Sequence, residues 1–358
     1  MAICEQVREA VRAGGLFARD RPVVAMLSGG RDSTCLLDVA VALLGPAALC
    51  ALHVNYGLRG EQADADECHC AALCEQLGVE LEIVRVAGDG QIDDDAQAPG
   101  VTQAPGETQA PGETEVAGKP PGNLQAWARE LRYSHATRLA HERDALIATG
   151  HTASDQVETI LYRLAASPGR RALLGMVASE GRLIRPLLGV TREQTAAYCQ
   201  ERGLQWREDA SNDDERFARA RVRKHLVPAL RAVHPAAEAN VLRTASLLRE
   251  ETELLDGLVT EELAGRPRIA LARLQELPAA LARLVVVRLA EDATGTYVPQ
   301  AGERVQEILA LGRRGGDAEL HVGGQAGAVI HSGVLEMVKL QPRGRGPAAR
   351  GGEPPDED

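Results

Sequence analysis

An open parallel α/β sheet, followed by a smaller and mostly helical α+β domain, is the fold that the sequence predicts. Three observations carry the prediction. Short apolar runs alternate with helical patterns from Val23 to Arg202, the arrangement that covers a parallel sheet on both faces. Two of those runs, Val23 to Leu27 and Ala145 to Ala148, lead into small and polar residues that open a helix. After Asn212 the pattern changes to longer helices and two short strands.

Taken in order, Cys4 to Ala18 reads as an opening helix. Val23 to Leu27 is the first strand, and Thr34 to Leu44, rich in Leu, Val and Ala, is the helix after it. Ala48 to Val54 is a second strand, ending at His53-Val54-Asn55-Tyr56-Gly57-Leu58-Arg59. A helix from Ala63 to Leu77 is closed by Gly78. Val79 to Val86 then alternates with period two, as a strand should. A helix from Asn123 to His141, a short buried strand at Ala145 to Ala148 and a helix from Asp155 to Ala165 follow. The strand Leu183 to Leu188 and a helix from Arg192 to Arg202, stopped by Gly203, complete the first domain. Helices around Asn240–Leu258, Pro278–Asp292 and Gly302–Leu311 form the second, with strands near Ala318–Val322 and Gly333–Leu340. The expected boundaries are 1–212 for the first domain, 213–235 for a basic connecting helix, 236–341 for the second domain and 342–358 for a disordered tail.

Between Gly88 and Gly122 the pattern collapses. The hexapeptide Gln-Ala-Pro-Gly-Glu-Thr occurs twice, at Gln103 and Gln109, after the related Gln97-Ala98-Pro99-Gly100-Val101-Thr102. Such a stretch cannot bury enough apolar surface to offset its ordering entropy, so 88–122 is expected to be a disordered surface insertion.

The 358 residues allow two or three domains, and a hydrophobic fraction of 44% supports a packed core. Aromatic residues are only 3%, so Ala, Leu and Val must fill it. No apolar stretch is long enough to span a bilayer, so no membrane partner is expected. No export signal is visible, and the seven cysteines are read as reduced thiols in the cytoplasm. The net charge of −11 does not itself advertise nucleic-acid binding, but the charge is uneven. Arg85 is the one base between Glu61 and Asp95, whereas Glu238 is the one acid between Arg216 and Arg249. The second span, with Arg219, Arg221, Arg223 and Lys224, is a candidate phosphate-contact surface; a solvated helix face is the plainer alternative.

Ser28-Gly29-Gly30-Arg31-Asp32-Ser33 carries the first chemistry. A strand, a small-residue turn and a helix aim backbone N–H groups and the positive helix end at one point, which suits a phosphate. Glycines admit the anion closely, Ser28 and Ser33 can donate hydroxyl hydrogen bonds, and Asp32 can hold a metal or position a donor. A glycine-rich turn without a ligand is the alternative. The second group, Gly150-His151-x-x-x-Asp155-x-x-Glu158-Thr159, ends a strand and opens a helix at the same sheet edge, where parallel sheets bind ligands. His53 ends a strand there too. Taken alone, Asp155 is equally well read as a helix cap.

The set SGGRDS (Ser28–Ser33), HVNYGLRG (His53–Gly60), NLQAWARELRY (Asn123–Tyr133), ATGHTASDQVETILYRL (Ala148–Leu164), LLGM (Leu173–Met176), IRPLL (Ile184–Leu188) and EDASN (Glu208–Asn212) resembles the tRNA(Ile)-lysidine synthetases of the PP-loop ATP pyrophosphatase superfamily. The resemblance covers the first domain nearly throughout and continues more weakly to about Leu340. It implies an adenine nucleotide α-hydrolase-like fold and ligation of free L-lysine to C2 of the wobble cytidine of tRNA(Ile) with a CAU anticodon. ATP adenylates the base, lysine displaces AMP, and Mg²⁺ assists. Carried over, Ser28, Gly29, Gly30, Arg31, Asp32, Ser33 and His53 would bind ATP, with Asp32 as the metal ligand. Asp155 and Glu158 would hold the lysine amine and help take its proton, with His151 and Arg129 beside them. Arg219, Arg221, Arg223 and Lys224 would contact tRNA, and a homodimer is compatible with the sequence.

Four positions depart from the family pattern. Tyr56 stands for a second His, Ser154 for the first of two Asp, Ala166-Ser167-Pro168-Gly169 for an RGSG-like stretch, and Ala220 for the Asn of an RN-x-x-R pattern. Two readings stay open beside ligation: a PP-loop tRNA thiolase, and a catalytically inactive nucleotide- or RNA-binding relative. Cys68, Cys70 and Cys74 cluster on one predicted helix, but no Cys-x-x-Cys pair occurs.

Overall fold

The structure is a computed structural model that describes residues 2–17, 20–58, 60–86, 124–166, 169–208 and 215–341. The repeat-bearing insertion 88–122, the tail 342–358, Arg59, Asn123, Pro168 and Asp209–Asn212, on which expectations fall above, lie outside the described residues.

The elements of the first unit, in order, are α1 (Ile3–Ala13), β1 (Val23–Met26), α2 (Arg31–Leu44), β2 (Leu49–Asn55), α3 (Glu61–Leu77), β3 (Glu80–Arg85), α4 (Leu124–Glu142), β4 (Leu146–Ala148), α5 (Ala153–Ala166), α6 (Arg170–Leu173), β5 (Ser179–Glu180), β6 (Leu183–Ile184), α7 (Arg192–Arg202), α8 (Ala218–Arg221) and α9 (Val227–Val233). Residues Val222–Leu226 join α8 to α9 in a wider, π-type winding. The long α10 (Ala237–Leu263) follows, and the division into two units falls within it, between Ala245 and Ser246. The basic stretch from Phe217 therefore packs with the first unit.

Six strands form one sheet in the order β3-β2-β1-β4-β6-β5. Every pairing is parallel except that of β5 with β6. The two-residue side-chain period sends alternate residues to opposite faces. Val23, Ala25 and Leu27 pack with α1, α2, α3 and α7, whereas Val24 and Met26 pack with Leu131, Ala136, Leu139 and Ala140 of α4. Both faces are thus covered, as a parallel sheet requires. The order reverses on either side of β1, so the loops after β1, β2 and β4 open at one crevice.

Details differ from expectation for local reasons. Gly14-Gly15 ends α1 early, and β6 stops at Ile184 because Pro186 follows and cannot donate to a ladder.

In the second unit, β7 (Arg268–Ala270), α11 (Leu271–Glu276), α12 (Ala279–Thr294), α13 (Gln300–Glu303), α14 (Val305–Arg313), β8 (Ala318–Gly323), β9 (Ala326–His331) and β10 (Val334–Lys339) follow in order. They build an antiparallel sheet, β7-β10-β9-β8, over a core that includes Val285, Val286, Leu289, Ile308, Ile330 and Leu335. Two strands were expected, and four are present among the described residues. Strand β9 opens Ala-Gly-Ala, which carries little strand propensity, and β7 has three residues.

Candidate functional site

The loop after β1 is tied together by its two serines. Ser33 Oγ donates to the Gly30 carbonyl at 2.9 Å and accepts the Ser28 amide at 3.2 Å. With that proton engaged, the Ser28 hydroxyl is the donor in its 3.1 Å contact with Ser33 Oγ. Both hydroxyls therefore shape the loop. Gly29 turns the chain with φ 78°, a conformation suited to glycine, and a Cβ there would lie 3.3 Å from Cys70 Sγ. Gly30 is the N-cap of α2 and supplies no capping side chain, which leaves the first-turn N–H groups to an anion.

His53 lies beneath this loop. It is buried, its Nδ1–H donates to the Leu27 carbonyl at 3.0 Å, and Cys70 Sγ is 3.4 Å from the same nitrogen. Burial lowers its pKa and favours the neutral ring. His53 thereby fixes the residue from which the loop departs. Arg207 closes the other side, its amide donating to the Gly29 carbonyl at 2.9 Å and its guanidinium pairing with Asp66.

Gly150 brings the second group to the first. A Cβ on it would lie 3.0 Å from the Asp32 carbonyl carbon and 3.1 Å from the Ser33 nitrogen, so the start of the β4–α5 loop rests directly on the first turn of α2. His151 Nδ1 is 2.8 Å from Thr149 Oγ1. Burial, with Arg219, Arg185 and Arg129 nearby, pushes its pKa down to about 4 against the opposing pull of Asp155, so the ring is neutral near pH 7. Arg129 is exposed on α4 and stacks over Tyr133, with its guanidinium carbon 4.7 Å from the ring centre.

Asp155 and Glu158 lie one turn apart on α5 and share one cluster of arginines. Asp155 Oδ2 accepts the Thr152 amide and hydroxyl, both at 2.8 Å, while the Asp155 amide donates to Thr152 Oγ1 at 3.3 Å. This is a reciprocal helix cap. Asp155 Oδ1 accepts Arg192 at 2.9 Å and Arg219 at 3.2 Å. Glu158 Oε1 accepts Arg192 at 2.9 Å and Arg223 at 2.7 Å; Oε2 accepts Arg219 at 3.2 Å and Arg223 at 3.1 Å. The acceptor positions of both carboxylates are filled. Burial raises both pKa values, but the guanidinium groups outweigh it and hold both carboxyls below their ordinary range.

Both carboxylates are therefore ionised and fully hydrogen-bonded within the cluster. Arg219 and Arg223, expected on the tRNA face, turn inward to Glu158. Arg221 is exposed and donates to the Glu215 carbonyl at 2.7 Å, and Lys224 lies 3.6 Å from the Glu215 carboxylate.

Arg192 and Thr195 are not among the site residues expected from the sequence, yet both reach the cluster. Thr191 and Gln194 form the capping box that starts α7 and place Arg192 at its first position. A cation there opposes the helix dipole, and this is the one sequence signal that it has an acidic partner. Arg192 spans Asp155, Glu158 and, at 3.8 Å, Asp32 Oδ2; Thr195 Oγ1 donates to Asp32 Oδ1. Three acids therefore meet four arginines, because Arg31 also donates to Asp32 Oδ1 at 3.2 Å.

The PP-loop domain model matches residues 3–230, which is more than half of the chain. The chain belongs to the PP-loop domain family. Among curated relatives, the tRNA(Ile)-lysidine synthase of Pseudomonas fluorescens is 37% identical over 243 residues, covering 66% of this chain and 48% of its own. That of Symbiobacterium thermophilum is 35% identical over 337 residues, covering 88% and 64%. The chain thus spans about half to two thirds of the length of these relatives. Among solved structures, the U34-tRNA thiolase NcsA of Methanococcus maripaludis with its [4Fe-4S] cluster superposes with a TM-score of 0.51 at 18% identity, over 69% of this chain and 79% of that one. This likeness shows the shared PP-loop fold. In this PP-loop chain Cys68 is exposed while Cys70 and Cys74 are buried, and burial pushes both buried thiols up to about 12.

Proposed function

We propose that this protein makes lysidine, joining the ε-amine of free lysine to C2 of the wobble cytidine of tRNA(Ile) with a CAU anticodon, with ATP giving AMP and pyrophosphate. The observation that carries the reading is the seating of Gly150 on the first turn of α2, which sets an uncapped phosphate-binding helix end beside the Asp155–Glu158–arginine cluster. Similarity to relatives named tRNA(Ile)-lysidine synthase supports the choice of substrate.

The loop amides and the α2 N-terminus hold the triphosphate. Asp32 Oδ2, approached by Arg192 only at 3.8 Å, is the oxygen that would hold Mg²⁺, and an ion arriving with the triphosphate takes its remaining ligands from phosphate and water. The metal would neutralise charge on the departing pyrophosphate. Arg31 and Arg192 stand where negative charge grows on the phosphates.

The arginine cluster bears on the lysine step as well. Four guanidinium groups against three carboxylates leave a positive balance, which disfavours the charged form of an incoming ammonium. Asp155 then orients the amine by exchanging one arginine contact for it, and solvent takes the proton. Neutral His151, beside Asp155, is a hydrogen-bonding partner for nucleotide or base.

The test is AMP release with the wobble base varied. Cytidine-dependent AMP formation that requires added lysine for net turnover is expected. AMP formation with uridine at that position, or turnover supported by a sulfur donor in place of lysine, would contradict the reading.

A further inference from the structure

The structure holds a second concavity that the site above does not use. It lies in the first unit between the last turns of α5 and the α8–α9 stretch, has a volume of about 510 Å³ and opens to solvent. Tyr162, Val222 and Leu226 supply its apolar walls, several alanines keep it roomy, and Arg221 and His225 supply its polar edge. Tyr162 is 44% exposed and Leu226 39%, so a large aromatic and a large aliphatic side chain face water together.

We propose that this cavity takes an unstacked nucleobase of the tRNA, with the ring against Tyr162 and with Arg221 and His225 at its polar edge. The inference rests on the tRNA reading above. RNA readers splay loop bases onto aromatic or guanidinium planes and hold the flanking phosphates with cations. This cavity offers the same combination, with Lys224 next to His225 in sequence. Charge favours this occupant: the wall of the cavity from Ala218 to Ala229 lies in the basic span Arg216–Arg249 of a chain whose net charge is −11, and Glu215, which pairs with Lys224 and His225, is the one acid against that edge among the ion pairs described. An apolar peptide would cover Arg221 without an anion, at a desolvation cost.

The position is also mechanically apt. Arg219 and Arg223 leave one side of this stretch to bind Glu158, while Arg221, Val222 and His225 line the cavity on another. A base seated there bears on the segment that holds the carboxylate cluster.

The test uses the full chain with Tyr162→Ala and Tyr162→Phe. The probes are a tRNA(Ile) transcript with a CAU anticodon and a set of transcripts each carrying one abasic nucleotide in the anticodon loop. Tyr162→Ala is expected to weaken transcript binding about tenfold, the usual scale for losing one base–aromatic stack, with ATP binding unchanged. Tyr162→Phe is expected to bind as the parent does. One abasic position should weaken the parent by a similar factor and Tyr162→Ala no further. Unchanged binding by Tyr162→Ala, or equal losses in parent and variant at every abasic position, would overturn the proposal while leaving the tRNA reading intact. Failure of the parent to bind any transcript would sink both.

Discussion

Gly150 and Asp32 are in backbone contact: a methyl group on Gly150 would lie 3.0 Å from the carbonyl carbon of Asp32. No flexible side chain stands between them to give way. Gly150→Ala is therefore expected to shift the first turn of α2 and cost about 1–3 kcal/mol of stability, the usual range for overpacking. The apparent KM for ATP should rise at least tenfold, because the loop amides move with that turn. Steady-state kinetics beside thermal unfolding checks this. A folded Gly150→Ala protein with unchanged KM would mean that the contact does not set the loop.

Glu158 is the acidic centre of three arginines. Glu158→Gln leaves them in place with one negative charge fewer, and breaking a buried cluster in this way costs about 3 kcal/mol or more. The variant is expected to unfold at lower denaturant concentration with an unchanged m-value. A shift of less than about 0.5 kcal/mol would place the stabilisation elsewhere.

Acid sensitivity follows from the same groups. His151 titrates at about 4 in the fold but near 6.5 when unfolded, so the unfolded chain binds more protons between those values. Its contribution is fully present above about pH 6.5 and is lost as pH falls towards 4. Asp155 and Glu158 are held below their ordinary values, so their contribution is lost only below about pH 4. Chemical denaturation across pH should show stability falling in two stages, and His151→Asn should flatten the first. A first stage unchanged in that variant would assign it to another group.

The basic stretch divides into two faces. Reversing Arg221 and Lys224 together, as Arg221→Glu with Lys224→Glu, is expected to weaken tRNA binding by at least tenfold and to reduce its salt dependence, with ATP binding unchanged. Arg223→Glu sets a carboxylate against Glu158 and is expected to destabilise the protein whether or not RNA is present. Binding titrations at several salt concentrations, beside unfolding curves, separate the two. Equal effects on tRNA and ATP from the first pair would count against an RNA face.

Much of this arrangement was legible in the sequence because it follows local rules. The strand-turn-helix pattern around Ser28–Ser33 and the run through Asp155 predicted elements and a shared edge, and both are present. What was not legible depends on distant contacts. The i, i+4 spacing of Arg219 and Arg223 is the same whether the pair faces phosphate or Glu158, and only packing against α5 turns it inward. Arg192 is far in sequence from the carboxylates it joins, and its cost against the α7 dipole is the only trace it leaves. Strand β9 was lost because its ladder with β8 and β10, not its own propensity, holds it.

The most direct measurement is incorporation of radiolabelled lysine into a tRNA(Ile) transcript with a CAU anticodon, with ATP and Mg²⁺, beside a methionine-tRNA control. Label on the first transcript alone is expected, with one AMP released per lysine joined and loss of both with Asp155→Ala in a protein that still unfolds cooperatively. No label on either transcript from a protein that binds both ATP and tRNA would contradict lysidine synthesis.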